Sequence, residues 1–238
     1  MRNTWWARLL RILGIVFMSL TAAFTLLGGA GTTCIALNPA GYGEKFSSIA
    51  PYQWLYILFV LVTVAIGVMG VRAVVLIVRG AKNAYRYALI ALVAGVVIGG
   101  IHMIVSRALR GGSMPVDMVV YTTVFTLLLF LLFRLPRIWQ GVNFEKPQAQ
   151  KNTANSAAAI ALVATGLLTL TIQWIMAPTH TIDGINYADV WHVALTLIGS
   201  FSILSGAVAA VGTRHAALQR SSPAIHSDPK PLKRLNVL

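Results

Sequence analysis

At 238 residues the chain is as long as one or two ordinary soluble domains, but 57% of its residues are hydrophobic and only 11% are charged. These proportions exclude a typical soluble domain and indicate that lipid is the main solvent. A formal net charge of +13 would favour a nucleic acid partner if the basic residues formed one stripe. They lie between apolar runs instead, so we expect membrane lipids as partners and no nucleic acid.

Six apolar stretches are each long enough to cross a hydrocarbon layer of about 30 Å as a helix. In chain order they cover residues 12–31, 53–73, 87–105, 116–135, 157–177 and 190–213. Backbone groups in lipid must hydrogen-bond one another, so each stretch is predicted to be helical. The sequence therefore predicts an all-α, multi-pass membrane protein with six transmembrane helices.

The longest predicted connection, residues 136–156, divides the chain into four spans and two. We predict that residues 1–135 form a four-span bundle and that residues 157–213 form a two-span hairpin packed against it. Residues 214–238 form a basic tail with three prolines, a composition typical of a segment that is disordered alone. We expect a partner subunit in the membrane to hold this tail.

The distribution of lysine and arginine predicts the orientation. Fifteen of these residues lie in the segments on the side of the N-terminus, whereas only Lys45, Arg107 and Arg110 lie on the other side. Basic loops stay in the cytoplasm, so both termini are predicted to be cytoplasmic, and the expected location is the bacterial inner membrane. The tryptophans agree, because all six fall near a predicted span boundary, where indole rings prefer to lie.

Three helical faces carry small or polar residues at spacings of three or four, as membrane helices do where they pack closely. They are Ala91, Gly95 and Gly99 in the third span, Gly199, Ser202, Gly206 and Ala210 in the sixth, and Thr165, Thr169 and Gln173 in the fifth. We interpret these faces as helix contacts, and the alternative is the lining of a pore or ligand site.

Histidines and acidic residues gather at the predicted outer surface. The loop between the fifth and sixth spans and the start of the sixth hold His180, Asp183, Asp189 and His192. Imidazole nitrogens and carboxylate oxygens together suit zinc or another divalent metal, so these four residues are a candidate metal site. The alternative for Asp189 is a role at the start of the sixth helix, where an acid suits the helix dipole.

A second hypothesis pairs His102, near the outer end of the third span, with His192 at the start of the sixth. Two imidazoles from facing helices at similar depth are the axial ligands that a haem b requires. The same two side chains could instead hydrogen-bond a quinone headgroup.

The sequence lacks the motifs of a serine nucleophile, an intramembrane metalloprotease and a nucleotide-binding loop, so an enzyme is the least favoured class. The leading prediction is a non-catalytic integral subunit of a larger inner-membrane assembly. The alternatives are a redox-linked haem b or quinone binder that uses His102 and His192, and a small-solute transporter with Gln173 in its path.

Overall fold

The computed structural model of the protein describes residues 5–145, 151–182, 184–186 and 189–221. Six long helices dominate this part of the chain. They are α1 (Trp5–Leu37), α3 (Gln53–Arg79), α4 (Ala84–Arg110), α5 (Val116–Phe133), α7 (Lys151–His180) and α8 (His192–Ser221). Each contains an apolar segment long enough to cross a membrane, so the predicted all-α, six-span membrane fold is confirmed.

Short elements connect the long helices. They are the helices α2 (Glu44–Ser47) and α6 (Pro136–Val142), the 3-10 turns Pro39–Tyr42, Ala50–Tyr52 and Asp189–Trp191, and the antiparallel strands β1 (Thr181–Ile182) and β2 (Ile185–Asn186). Residues 136–156, predicted as a linker, therefore contain α6 and the first turns of α7.

The first four long helices form a closed four-helix bundle. Helix α1 packs on α3 and α5, and α4 packs on the same two helices from the opposite side. The hairpin of α7 and α8 joins this bundle through α7, which packs mainly on α1, while α8 packs on α7. This is the predicted arrangement of a four-helix bundle with an added helical hairpin.

Glycines allow the backbones in this bundle to approach closely. A Cβ atom built on Gly67 of α3 would lie 2.6 Å from Leu26 Cδ2 of α1, and one built on Gly70 would lie 3.0 Å from the Ala22 Cβ. Lipid tails are as apolar as leucine, so close packing of this kind holds membrane helices together.

The predicted small-residue face of α4 is a helix contact. A Cβ on Gly95 would lie 3.1 Å from Thr123 Cγ2, and one on Gly99 would lie 2.9 Å from Val120 Cγ2, both on α5. The interpretation of this face as a packing surface is confirmed.

The predicted face of α8 packs on α7 in the same way. A Cβ on Gly199 would lie 2.9 Å from the carbonyl oxygen of Gly166, and one on Gly166 would lie 2.6 Å from the carbonyl oxygen of Gly199. Two helical turns further, Gly206 faces Ala159. Reciprocal glycine contacts therefore hold the hairpin together.

Each end of the bundle has its own core. The proximal end, formed by residues 80–83 and 134–145, contains a cluster of buried aromatic and aliphatic side chains centred on Phe130, Phe133 and Phe144. The distal end, formed by residues 38–52 and 111–115, covers a smaller cluster around Ile49 and Tyr56. The sequence predicts that the proximal end is cytoplasmic.

A fully buried arginine lies in the proximal core. The guanidinium of Arg11 in α1 donates to the carbonyl oxygens of Val142 (3.2 Å), Asn143 (2.8 Å) and Ile77 (3.3 Å). These carbonyls lie at the C-terminal ends of α6 and α3, where backbone acceptors lack helical partners and a positive charge is favoured. Arg11 therefore links α1 to the ends of two other helices.

Candidate functional site

The strongest candidate site lies around His102 in the distal half of the bundle. The side chain is only 4% exposed. Its ring stacks on Phe59 of α3 with 4.4 Å between centroids, and Tyr56, one turn earlier on α3, meets it edge-on at 5.4 Å. Two aromatic rings therefore fix the position and the tilt of the imidazole.

Beside the ring is a partly open cavity of about 30 Å³ that is lined by all four helices of the bundle. By the same measure a water molecule needs about 10–15 Å³, so the cavity has room for about two waters. Four glycines form part of its wall, where their lack of a side chain lets the helices approach closely. They are Gly28 and Gly29 of α1 and Gly95 and Gly99 of α4.

Threonines from three helices line the cavity together with His102. They are Thr25 and Thr32 of α1, Thr63 of α3 and Thr123 of α5. The rest of the wall is apolar, so these few polar side chains are the groups that could orient a bound molecule.

The Nε2 atom of His102 is buried and has no hydrogen-bond partner among the described residues. Nearly all buried polar atoms in proteins are hydrogen-bonded, and one left without a partner costs about 1–3 kcal/mol. Among the described residues nothing satisfies this nitrogen, and it belongs to a side chain that lines the cavity.

A second, smaller cavity continues from the first toward the proximal end. The two share Thr25, Ile66, Gly95 and Thr123 in their walls. Beyond these residues the second cavity reaches Thr21, whose hydroxyl lies 2.7 Å from that of Thr126. Polar groups thus follow the axis of the bundle from His102 toward its middle.

A polar network closes the distal end of the bundle near this site. Arg107 of α4 forms an ion pair with Asp117 of α5 at 3.1 Å and donates to the hydroxyls of Ser113 and Tyr121. Ser113 also donates to Asp117. These bonds tie the α4–α5 loop to both helices, one turn or more beyond His102.

The structure does not place His192 beside His102. His192 is exposed at the start of α8, a helix that packs on α7, whereas α4 packs on α3 and α5. The cavity beside His102 is also far smaller than a haem or a quinone ring. Binding of haem b or quinone by these two histidines stays a prediction that this packing does not favour.

The predicted metal site falls partly outside the described residues. Asp183 and the side chain of His180 are not described, and Asp189 and His192 are exposed neighbours around the start of α8. In the part of the chain that the structure describes, no three side chains of the metal-binding types come together. A divalent metal at these four residues stays a prediction.

The polar stripe of α7 makes local hydrogen bonds. The hydroxyl of Thr169 donates to the carbonyl oxygen of Thr165 at 2.8 Å, and the carbonyl oxygen of Gln173 accepts from the Asn186 side chain of β2 at 3.2 Å. Gln173 therefore lies at the base of the β1–β2 hairpin, away from the bundle cavity.

Sequence reasoning singled out His102 but missed the threonines that surround its cavity. A signal was present, because Thr21, Thr25 and Thr32 recur at spacings of four and seven along α1 and so share one helical face. That face continues the lining below the histidine.

The chain matches no protein-family model, and it resembles no curated protein or solved structure significantly.

Proposed function

We propose that this multi-pass membrane protein binds a small uncharged polar solute inside its four-helix bundle, with His102 as the recognition group. The observation that carries the proposal is a cavity lined by His102 and four threonines, together with a buried Nε2 of His102 that has no partner among the described residues. The solute is uncharged because the cavity wall contains no acidic or basic residue other than this histidine. This proposal is the predicted small-solute transporter with its site moved from Gln173 to the bundle.

The size of the cavity limits how tightly such a solute binds. A ligand of two heavy atoms gains at most about 3 kcal/mol, which corresponds to a dissociation constant of about 6 mM. Weak binding of this kind suits a solute that enters and leaves along the bundle axis, and the second cavity provides the next position on that axis.

Nitrogen NMR of the histidine rings tests the proposal. The protein contains five histidines, and the ring signals of His102 are assigned in nanodiscs by their loss in His102→Phe. Methanol, formamide and fluoromethane are each titrated to about 100 mM, well above the expected dissociation constant. We expect a saturable shift of the His102 Nε2 signal with at least one probe.

His192 serves as the internal control because it is exposed. A shift that grows linearly for both histidines would be a solvent effect. If no probe gave a saturable shift at His102, the proposal would be wrong.

We propose a second candidate, the predicted non-catalytic subunit of a larger membrane assembly, on the strength of one face of α8. Only 11% of the apolar segment of α8 is buried, against 39% for α1. Five large exposed side chains follow one another along α8 at spacings of four, three, four and three. They are Leu197, Phe201, Leu204, Val208 and Val211, which we name the α8 seam.

Such spacing is that of a helix that packs against another helix as in a coiled coil. The occupant that we propose for the α8 seam is a membrane-spanning helix of a partner subunit. The test replaces Phe201 and Leu204 with alanine and uses Ile198→Ala, which is exposed outside the seam, as the matched control.

On a native gel from mild detergent, the wild type and the Ile198 variant should migrate as a complex that the seam variant loses. A wild-type protein that migrates as a monomer would overturn this second proposal. That outcome leaves the solute site of the bundle untouched, since α8 does not line it.

A further inference from the structure

Three of the four threonines that line the cavity beside His102 already donate their hydroxyl proton to a backbone carbonyl. Thr25 donates to the carbonyl oxygen of Thr21 at 2.7 Å, Thr32 to that of Gly28 at 2.7 Å, and Thr123 to that of Val119 at 2.6 Å. Each bond runs to the residue four positions earlier on the same helix, a common bond for threonine in helices.

A hydroxyl group has one proton and two lone pairs. Once its proton is bound to a carbonyl, its oxygen can only accept further hydrogen bonds. Any hydrogen bond from a cavity ligand to Thr25, Thr32 or Thr123 must therefore be accepted by the hydroxyl oxygen. Within the described part of the chain, Thr63 is the one lining threonine whose hydroxyl donates to no carbonyl, so it can donate or accept.

The imidazole of His102 completes this set. A neutral imidazole has one nitrogen that donates and one that accepts. Since the lining oxygens need donors, a ligand that brings protons satisfies the cavity best when Nε2 is the accepting nitrogen. A molecule without donors would leave these acceptors unpaired, which is unfavourable for buried polar groups.

We infer that the ligand of this cavity is a hydrogen-bond donor of one or two heavy atoms, bound by Nε2 of His102 and the oxygens of Thr25, Thr32 and Thr123. This inference rests on the proposed function, because it names the chemical class of the solute. The cavity therefore selects ligands by their number of hydrogen-bond donors. An uncharged amine or hydroxyl compound fits it, and an apolar or acceptor-only molecule of equal size does not.

Three probes with two heavy atoms each test this selection. Fluoromethane has no donor, methanol has one, and hydroxylamine, uncharged at pH 8, has three. Each additional hydrogen bond should tighten binding about five-fold. In the histidine-ring NMR titration, we expect hydroxylamine to bind more tightly than methanol, and methanol more tightly than fluoromethane.

Thr25→Val and Thr123→Val remove one acceptor each while keeping the shape of the side chain. Each should weaken hydroxylamine binding about five-fold. Thr171→Val is the matched control, because Thr171 makes the same bond to the residue four positions earlier but is exposed on α7. The control variant should bind hydroxylamine like the wild type.

The outcomes separate this inference from the proposed function. If fluoromethane binds as tightly as methanol, or if the nitrogen shift shows that Nε2 carries the proton, selection for donors is overturned while a small-solute site remains. If none of the probes gives a saturable shift at His102, the cavity holds water alone and both proposals fall.

Discussion

The two ends of the bundle each bury a polar side chain, but the hydrogen bonding of these two side chains differs. Arg11 at the proximal end is 1% exposed and donates three hydrogen bonds to backbone carbonyls. His102 at the distal end is 4% exposed, and its Nε2 has no partner among the described residues. The Nε of Arg11 also lacks a partner among the described residues, so similar burial accompanies three hydrogen bonds from the other guanidinium nitrogens at one end and none from Nε2 at the other.

This difference distinguishes a structural role for Arg11 from the binding role that we propose for His102. The carbonyls around Arg11 come from helix ends, where backbone acceptors need a donor in any case. The arginine therefore satisfies backbone groups of the fold itself. The groups around His102 are threonines and a cavity, which is where we propose that a solute from outside the chain binds. Stability measurements test this difference, because substitution of the two side chains should change the free energy of unfolding with opposite signs.

The largest effect is expected for Arg11→Met. Ile77 O keeps its bond from the Gly80 amide, but the carbonyls of Val142 and Asn143 lose the guanidinium. A buried polar group without a partner costs about 1–3 kcal/mol, so the free energy of unfolding should fall by about 2–4 kcal/mol. Reversible unfolding in mixed detergent micelles measures it.

Arg8→Met is the control, since Arg8 is exposed on the same helix one turn earlier. Arg11→Lys should fall between the two, because a single ammonium group cannot reproduce the planar fork of donors. If Arg11→Met were as stable as Arg8→Met, the guanidinium would not link these helices.

The opposite sign is expected for His102→Phe in protein without added solute. The phenyl ring can keep the stack on Phe59 and removes a buried nitrogen that has no partner. Stability should stay the same or rise by about 1 kcal/mol, while binding of the solute is lost. The same unfolding assay measures this, with the exposed His192→Phe as the control.

A loss as large as that of Arg11→Met would contradict the comparison. It would mean that the nitrogen of His102 is bound within the folded chain and is as structural as the guanidinium.

Tyr85→Phe measures how much one satisfied, buried hydrogen bond contributes to the free energy of unfolding. The Tyr85 hydroxyl in α4 donates to the carbonyl oxygen of Phe130 at 2.7 Å inside the proximal core. Its removal should lower the free energy of unfolding by about 1 kcal/mol, less than the change at Arg11. Tyr52→Phe, at an exposed position, should have no effect, and equal losses in both variants would refute a role for this bond.

The length of the apolar stretches and the spacing of small residues were enough to predict the six spans, the bundle and the hairpin. They also predicted the packing faces of α4 and α8. The helices extend further than the apolar stretches: α1 runs from Trp5 to Leu37, whereas residues 12–31 were predicted. Hydropathy detects the part of a helix that lies in lipid, but the backbone continues helical into the interface until a residue such as Gly80, in the left-handed conformation, ends it.

The site was harder to predict for a different reason. Arg11 was counted only as a cytoplasmic charge, because its partners lie 66 to 132 positions away in sequence. His102 was singled out but paired with His192 by depth alone, since depth does not reveal which helices are neighbours. The partners of a buried polar group depend on the packing of the helices, and a single sequence contains no direct record of it.

The smallest effect is expected for Arg107→Gln, near the distal end. This side chain makes more polar contacts than Tyr85, to Asp117, Ser113 and Tyr121, yet it is exposed to solvent. Water and salt screen an exposed ion pair and replace its bonds, so the unfolding midpoint should match that of the wild type within error. Measurements at low and high salt, with Arg107→Lys as the control, check this. If the free energy of unfolding fell as much as in Tyr85→Phe, the number of polar contacts, and not their burial, would decide how much a polar side chain contributes to stability. The contrast between Arg11 and His102 would then lose its physical basis.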